Sequence, residues 1–298
     1  MASLRAYLGA WMVRRRVKAR LATAASVEDV RRVLGSPSFP DPREATYTPD
    51  SLGGVPGEWV RPISGAASRR LFYVHGGGFV ACSPKTHRPV TGALARRGFE
   101  VFAPDYRLAP EHPFPAGLED VIAAWASFRG KGPASLAGES AGGNLALALL
   151  LAARDRGIPL PSAACLFSPV TDLMAEGGSR LTNSTRDAMF SARSIPEVAP
   201  LYVGAGDPRT PLASPVHGDP TGLPPLLFHV GEREILRDDS VRMVERARAA
   251  GVEASLRVFP VVAHAWQFAD GVLPEAKASL DEAAAFLERH AARTETAA

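Results

Sequence analysis

SLAGESAGGNLALALLLAARDRG, residues 135–157, sets a serine between glycines at the point where a short apolar run gives way to a long helical one. SLAG reads as a buried strand and NLALALLLAARDRG as a helix, so Ser140 stands on the turn between them. Gly138-Glu139-Ser140-Ala141-Gly142 is then a G-x-S-x-G elbow, a strained turn that projects a serine hydroxyl while its glycines avoid clashes between strand and helix. Chance alone puts this pattern in roughly one chain in ten of this length. The rest of the chain has to support it.

Outward from the elbow, short apolar runs alternate with helical stretches. The runs are LFYV (71–74), VFAPDY (101–106), AACLF (163–167), PLLFHV (225–230) and SLRVFPV (255–261), and helices are expected near 86–97, 118–128, 141–156, 239–250 and 275–293. That alternation predicts an α/β architecture, a mostly parallel central sheet flanked by helices. Ala45 to Ile63 reads as a hairpin turning at Leu52-Gly53-Gly54. Between Pro169 and Leu223 the rhythm stops, with much Pro and Ser and no clear strand, which suits an inserted cap. Ligands in such sheets bind outside the carboxyl ends of the strands, so the residues just after each run matter most.

LFYVHGGGF (71–79) ends a strand in His75, Gly76, Gly77 and Gly78. Glycine contributes nothing to a core, so bare backbone is needed there. Attack by a serine on an ester carbonyl puts negative charge on oxygen, and preorganised N–H groups stabilise that charge. A loop of this kind supplies one part of an oxyanion hole, and the N–H after the nucleophile, that of Ala141, supplies another. A phosphate loop is the poorer reading, since neither a Lys-Ser or Lys-Thr ending nor G-x-G-x-x-G is present.

A serine hydroxyl is a weak nucleophile and requires a base held by a carboxylate. Of seven histidines, His264 follows the last strand-like run and lies downstream of every candidate acid. His87, His112, His217, His229 and His290 are expected to be structural or exposed. The stretch VGEREILRDDS offers Glu232, Glu234, Asp238 and Asp239. Asp238 and Asp239 open a helix, where an N-cap and a favourable charge at the positive helix end already explain them. Glu234, just past PLLFHV, is the expected acid, with Asp238 as the alternative.

Composition excludes several classes. A hydrophobic share of 46% with 22% charged residues is that of a globular protein, here one domain with an insertion. The net charge of +3 arises from the N-terminus: without residues 1–20 the basic count falls from 34 to 28 against 31 acidic, a net of −3. No nucleic-acid partner is expected of such a body. AYLGAWMVRRRVKARL (6–21) reads as an amphipathic helix covering the body with a solvated Arg face, the alternative being a helix lying on an anionic membrane. Its apolar run is too short, and its charges are on the wrong side, for a signal peptide. Cys82 and Cys165 suggest neither a disulfide framework nor a metal site, and a cytoplasmic location is expected.

Five elements in order, HGGG (75–78), DYRLAPEHPFPA (105–116), GESAGGN (138–144), GEREILRDD (231–239) and HAWQF (264–268), resemble the bacterial hormone-sensitive-lipase-like esterases, a family of α/β-hydrolases. The resemblance spans about residues 70–270. It implies an α/β-hydrolase fold, Ser140 as nucleophile, His264 as base and the N–H groups of Gly77, Gly78 and Ala141 as the oxyanion hole. The family's acid is more usually Asp in D-x-L-x-D; Glu234-Ile235-Leu236-Arg237-Asp238 has Glu in that place. The resemblance also implies a cap made of residues 1–45 and an insertion at about 172–215, on a catalytic domain of residues 46–298. Phe79, Met189, Phe190 and Trp266 are candidates for the pocket wall, and a homodimer through the last strand and helix would be in keeping with the family.

The expected activity is hydrolysis of short to medium acyl esters, acetyl esters and lactones included, through an acyl-enzyme and with no metal or cofactor. A catalytically silent ligand-binding protein on the same fold and a membrane-associated lipid hydrolase are the alternatives, and amide hydrolysis by the same residues is open.

Overall fold

Leu71 and Tyr73 of the strand Arg69–Val74 are buried in one apolar cluster, and Phe72 and Val74 in another. Successive strand residues point to opposite faces, so a strand buried on both sides must lie between two layers. The computed structural model describes residues 2–36, 39–65, 67 and 69–296, the last four by backbone alone. Residues 1, 37 and 38 of the expected cap lie outside the described residues.

Eight strands form one sheet: β1 (Ala45–Leu52), β2 (Val55–Pro62), β3 (Arg69–Val74), β4 (Phe99–Pro104), β5 (Ser135–Glu139), β6 (Ala164–Phe167), β7 (Leu226–Gly231) and β8 (Ala254–Phe259), in the order β1-β2-β4-β3-β5-β6-β7-β8. The β1–β2 hairpin is antiparallel, as is its join to β4, and all pairs from β4 to β8 are parallel. Each expected strand is present, with ends within two residues.

The helices are α1 (Leu4–Val13), α2 (Ala19–Leu21), α3 (Val27–Leu34), α4 (Arg88–Ala95), α5 (Ala116–Arg129), α6 (Ala141–Asp155), α7 (Ser179–Thr182), α8 (Ser194–Val203), α9 (Arg237–Ala249) and α10 (Pro274–Thr296), and a π-helical turn, Arg14–Lys18, joins α1 to α2. Residues 141–153 of α6 are all buried, as an almost uninterrupted apolar helix behind the sheet requires. On that face, beside α6, Trp125 and Phe128 of α5 pack on Phe72 and Phe102 of the sheet, with rings 5.4–6.4 Å apart. The other face holds Leu94 of α4 and Leu280, Phe286 and Leu287 of α10.

The segment between β6 and β7 carries α7 and α8 and no strand. The N-terminal helices reach it through Lys18, whose ammonium donates to the carbonyl oxygens of Ser184 (2.8 Å), Asp187 (2.8 Å) and Phe190 (2.6 Å). Arg14 donates to the carbonyls of Thr185 and Asp187. Arg5, Arg14, Arg15, Arg16 and Arg20 are exposed, as expected of a solvated Arg face, while Lys18 is half-buried against this row of carbonyls. Leu4, Leu8 and Trp11 are turned to solvent as well.

Candidate active site

Ser140 has φ 56° and ψ −121°, backbone a non-glycine residue adopts only under constraint. The constraint is visible in its neighbours: a Cβ on Gly138 would stand 2.5 Å from the Gly142 carbonyl oxygen, and one on Gly142 would stand 2.2 Å from that of Val74. The Ser140 N–H donates to Phe167 O at 2.9 Å, tying the turn to the end of β6. Ser140 thereby becomes the cap of α6, and the Ala141 N–H lies in the first turn, where the positive end of the helix dipole favours an anion.

Beside it, the three glycines after β3 are required for three different reasons. A Cβ on Gly76 would meet Glu139 Oε2 at 2.2 Å. Gly77 has φ +118° and would meet the Ala81 carbonyl at 2.0 Å; Gly78 has φ +62° and open space, with Val198 of α8 at 3.8 Å. At Gly76 and Gly77 bare backbone is thus required by the protein's own atoms. Among the described residues no acceptor takes the N–H of Gly77 or Gly78. His75 is buried, its ring stacked on Tyr106 at 4.3 Å, and the Tyr106 hydroxyl donates to His75 O at 2.8 Å. Burial depresses the His75 pKa to about 3, so the imidazole is neutral. DYRLAPEHPFPA thus buttresses the glycine loop, with the Ala109 N–H also donating to Phe79 O at 2.9 Å.

Glu234 and His264 meet as the sequence predicts. Glu234 Oε2 accepts from His264 Nδ1 at 2.6 Å, while Oε1 accepts from the Gly231 N–H (2.6 Å) and the Ser168 hydroxyl (2.8 Å). With Nδ1–H committed to Glu234, Nε2 is the atom free to exchange a proton. Asp238 is elsewhere: its carboxylate accepts from the Ser179 N–H at 2.7 Å. Neither Asp238 nor Asp239 is the N-cap expected of it. Leu236 holds that position, and Asp239 accepts from the N–H groups of Thr171 and Asp172.

The sequence reading gave Glu139 no role, yet it is buried between two histidines. Its Oε1 lies 3.0 Å from His264 Nε2 and its Oε2 3.2 Å from His87 Nε2. Among the described residues His264 Nε2 completes no hydrogen bond, either with Glu139 or with Ser140. His87 Nε2 also lies 3.2 Å from the Gly76 N, so it either accepts from that N–H or donates to Glu139. Burial opposes the imidazolium of His264, but the charge of Glu234 and then Glu139 outweigh it and hold its pKa above the ordinary 6.5. Burial likewise opposes the Glu139 carboxylate, and His264 and His87 outweigh it, holding its pKa below the ordinary 4.5.

Of the candidate wall residues, Phe190 stands edge-on to His264 at 4.9 Å and Phe79 is stacked on Tyr202 of α8 at 3.7 Å. Met189 is half-buried, and its N–H and that of Phe190 donate to Asp187 Oδ1 (2.7 and 2.9 Å). Asp187 Oδ2 accepts from Ile235 N at 2.8 Å, so one buried carboxylate joins the segment before α8 to the residue after Glu234. Trp266 is core: it packs with Ala6, Phe259 and Leu273, and its indole N–H donates to Glu275 O. A surface cavity of about 470 Å³ lined by His217, Asp219 and Arg246 shares no residue with this cluster. Among the described residues no group of His, Cys, Asp and Glu is placed to hold a metal ion.

Residues 71–268 match the profile of a family described as having the alpha/beta hydrolase fold. An acetyl-hydrolase of Streptomyces hygroscopicus is 42% identical over 242 residues, covering 80% of this chain and 81% of that one. A crystal structure of an esterase from the bacterial hormone-sensitive lipase family superposes with a TM-score of 0.91 at 38% identity, covering 98% of this chain and 99% of that one. That of EstE5 gives 0.93 at 33% identity over 98% and 100%. The chain belongs to the α/β-hydrolase-fold family, in its bacterial hormone-sensitive-lipase-like branch of esterases.

Proposed function

We propose that this serine carboxylesterase cleaves short to medium acyl esters, acetyl esters included, with Ser140 as nucleophile, His264 as general base and Glu234 as the carboxylate that orients it. The observation that carries the assignment is the 2.6 Å contact between His264 Nδ1 and Glu234 Oε2 beside a strained elbow serine. His264 Nε2 takes the hydroxyl proton as Ser140 attacks the carbonyl carbon. The tetrahedral oxyanion is met by the N–H groups of Gly77, Gly78 and Ala141, each worth a factor of about 100 to 1000 in rate. Collapse passes the proton from His264 to the leaving alcohol and leaves an acyl-serine, and water deprotonated by His264 then releases the acid.

Residues 1–45 and about 172–215 are the cap of this reading, which assigns residues 46–298 to the catalytic domain. Phe190 over His264 and Val198 over Gly78 support a covered pocket that admits small acyl groups. The acetyl-hydrolase named above supports the acetyl end of the range. Hydrolysis of p-nitrophenyl esters from acetate to palmitate, for wild type and Ser140→Ala, tests it. Rates that peak at short chains and vanish in the variant are expected; a wild type inactive on every chain, or a variant that keeps its rate, overturns the reading.

A further inference from the structure

The first helix is packed inside out. Its inward face is Ala2, Ala6 and Ala10, spaced four apart and set against Phe259, Val261, Val262, Trp266 and Leu273. Its large apolar residues go the other way, Leu4 being 87% exposed, Leu8 55%, Trp11 54%, Tyr7 50% and Met12 39%. Burial of large side chains is what drives a helix onto a body. Here that drive is left unused on one side, and five of the nine exposed large apolar side chains of the described residues are on this one helix. Leu4, Leu8 and Trp11 follow a helical period of four and three, so they form one stripe.

The charges that the N-terminal segment itself carries are of one sign, the nearby Glu275 carboxylate being taken up by Ser3. The Arg15 guanidinium sits over the Trp11 ring, 5.6 Å from its centroid, and Arg5, Arg16 and Arg20 are exposed on the same helical run. No acidic residue precedes Glu28. A second copy of the chain docking around a two-fold axis would bring these arginines against themselves. An anionic lipid surface would instead take the apolar stripe into its headgroup boundary and pair phosphates with the arginines, with tryptophan at the depth it prefers.

We propose that α1 is a peripheral docking face for anionic membranes, which leaves the rest of the chain outside the bilayer. No helix among the described residues is long and apolar enough to cross one. Docking orients the site as well as tethering it. The inner face of α1 lies on Val262 and Trp266, two residues either side of His264, and Lys18 holds the carbonyl of Phe190, whose ring lies against that histidine. The helix that meets lipid by its outer stripe therefore packs by its inner face on the loop that carries the base, so docking sets the site close to the membrane surface, where dissolved esters would arrive.

Co-sedimentation of the full chain with vesicles tests this. Wild type is expected to sediment with phosphatidylcholine vesicles containing phosphatidylglycerol, to bind phosphatidylcholine alone at least tenfold more weakly, and to be released by salt. Leu8→Glu/Trp11→Glu and Arg15→Glu/Arg16→Glu should each lower the bound fraction by about tenfold or more while hydrolysis of soluble p-nitrophenyl acetate is unchanged. Because that activity is read separately, failure to bind lipid and failure to hydrolyse esters are distinguishable. Absence of binding to the anionic vesicles, or equal binding to both kinds, overturns the proposal. So does a dimer in sedimentation velocity that Leu8→Glu/Trp11→Glu converts to monomer, since the occupant of the face is then a second copy.

Discussion

His264 Nε2 lies 3.0 Å from Glu139 Oε1 while its Nδ1 lies 2.6 Å from Glu234 Oε2, so the imidazole is held between two buried carboxylates. Both charges favour the imidazolium. A base must be neutral to accept a proton, so the ascending limb of kcat/KM against pH should fall on the alkaline side of the ordinary imidazole value. Glu139→Gln removes one charge at nearly constant shape. The limb is then expected to move to lower pH, measured with p-nitrophenyl acetate across the pH range; a limb that stays in place would mean Glu139 is only a packing element.

Glu234→Gln tests the other side of the ring. An amide cannot take the Nδ1 proton, the Gly231 N–H and the Ser168 hydroxyl together, so the tautomer is lost. A fall in kcat of up to about 10⁴-fold is expected, by analogy with the loss of the orienting carboxylate in other serine hydrolases. Asp238→Asn should change kcat by less than about twofold, because that carboxylate serves the Ser179 N–H and not the imidazole. Steady-state kinetics on both variants separates the two candidate acids.

Gly76 and Glu139 are coupled by space. A Cβ on residue 76 would fall 2.2 Å from Glu139 Oε2 and 2.9 Å from its carbonyl oxygen. Gly76→Ala should therefore destabilise by about 1–3 kcal/mol through overpacking. In Gly76→Ala/Glu139→Ala the carboxylate is gone, and the loss should be smaller than the sum of the two single losses. Chemical denaturation of the four proteins measures the coupling; strict additivity would show that the carboxylate is not what glycine accommodates.

Much of this arrangement was legible in the sequence, and what was not has a common cause. The elbow, the glycine loop, the strand ends and the pairing of Glu234 with His264 follow from local pattern and from the rule that parallel strands present their carboxyl ends to one edge. The role of Glu139 is not legible, because a strand residue next to a nucleophile has no signature of its own. Its partners Gly76 and His87 both lie in the connection after β3, which the sheet order sets beside β5 although more than fifty residues separate them in sequence. Trp266 was assigned to the pocket from its place two residues after His264, yet the left-handed turn at Ala265 directs the chain so that its indole enters the core with Ala6. The arginines of the N-terminal segment are exposed, as its pattern predicts, but only the carbonyls of residues 184–190 explain why Lys18 is half-buried among them.

Lys18 makes that last point testable. Its ammonium donates to three carbonyls, those of Ser184, Asp187 and Phe190, and burial depresses its pKa while the nearby Asp187 charge resists. Lys18→Met keeps the length of the side chain and removes all three bonds, each between a charge and a carbonyl and worth about 1.5–3 kcal/mol when made. The N-terminal helices should then open more often, so proteolysis within the first twenty-five or so residues is expected to be about tenfold faster or more. Phe190 would lose its anchor over His264 at the same time. KM for p-nitrophenyl butyrate should rise several-fold with a smaller change in kcat, because the histidine keeps its bond to Glu234. If kcat falls and KM does not, the lysine acts on the base itself, and the N-terminal helices are part of the catalytic frame rather than of the cover.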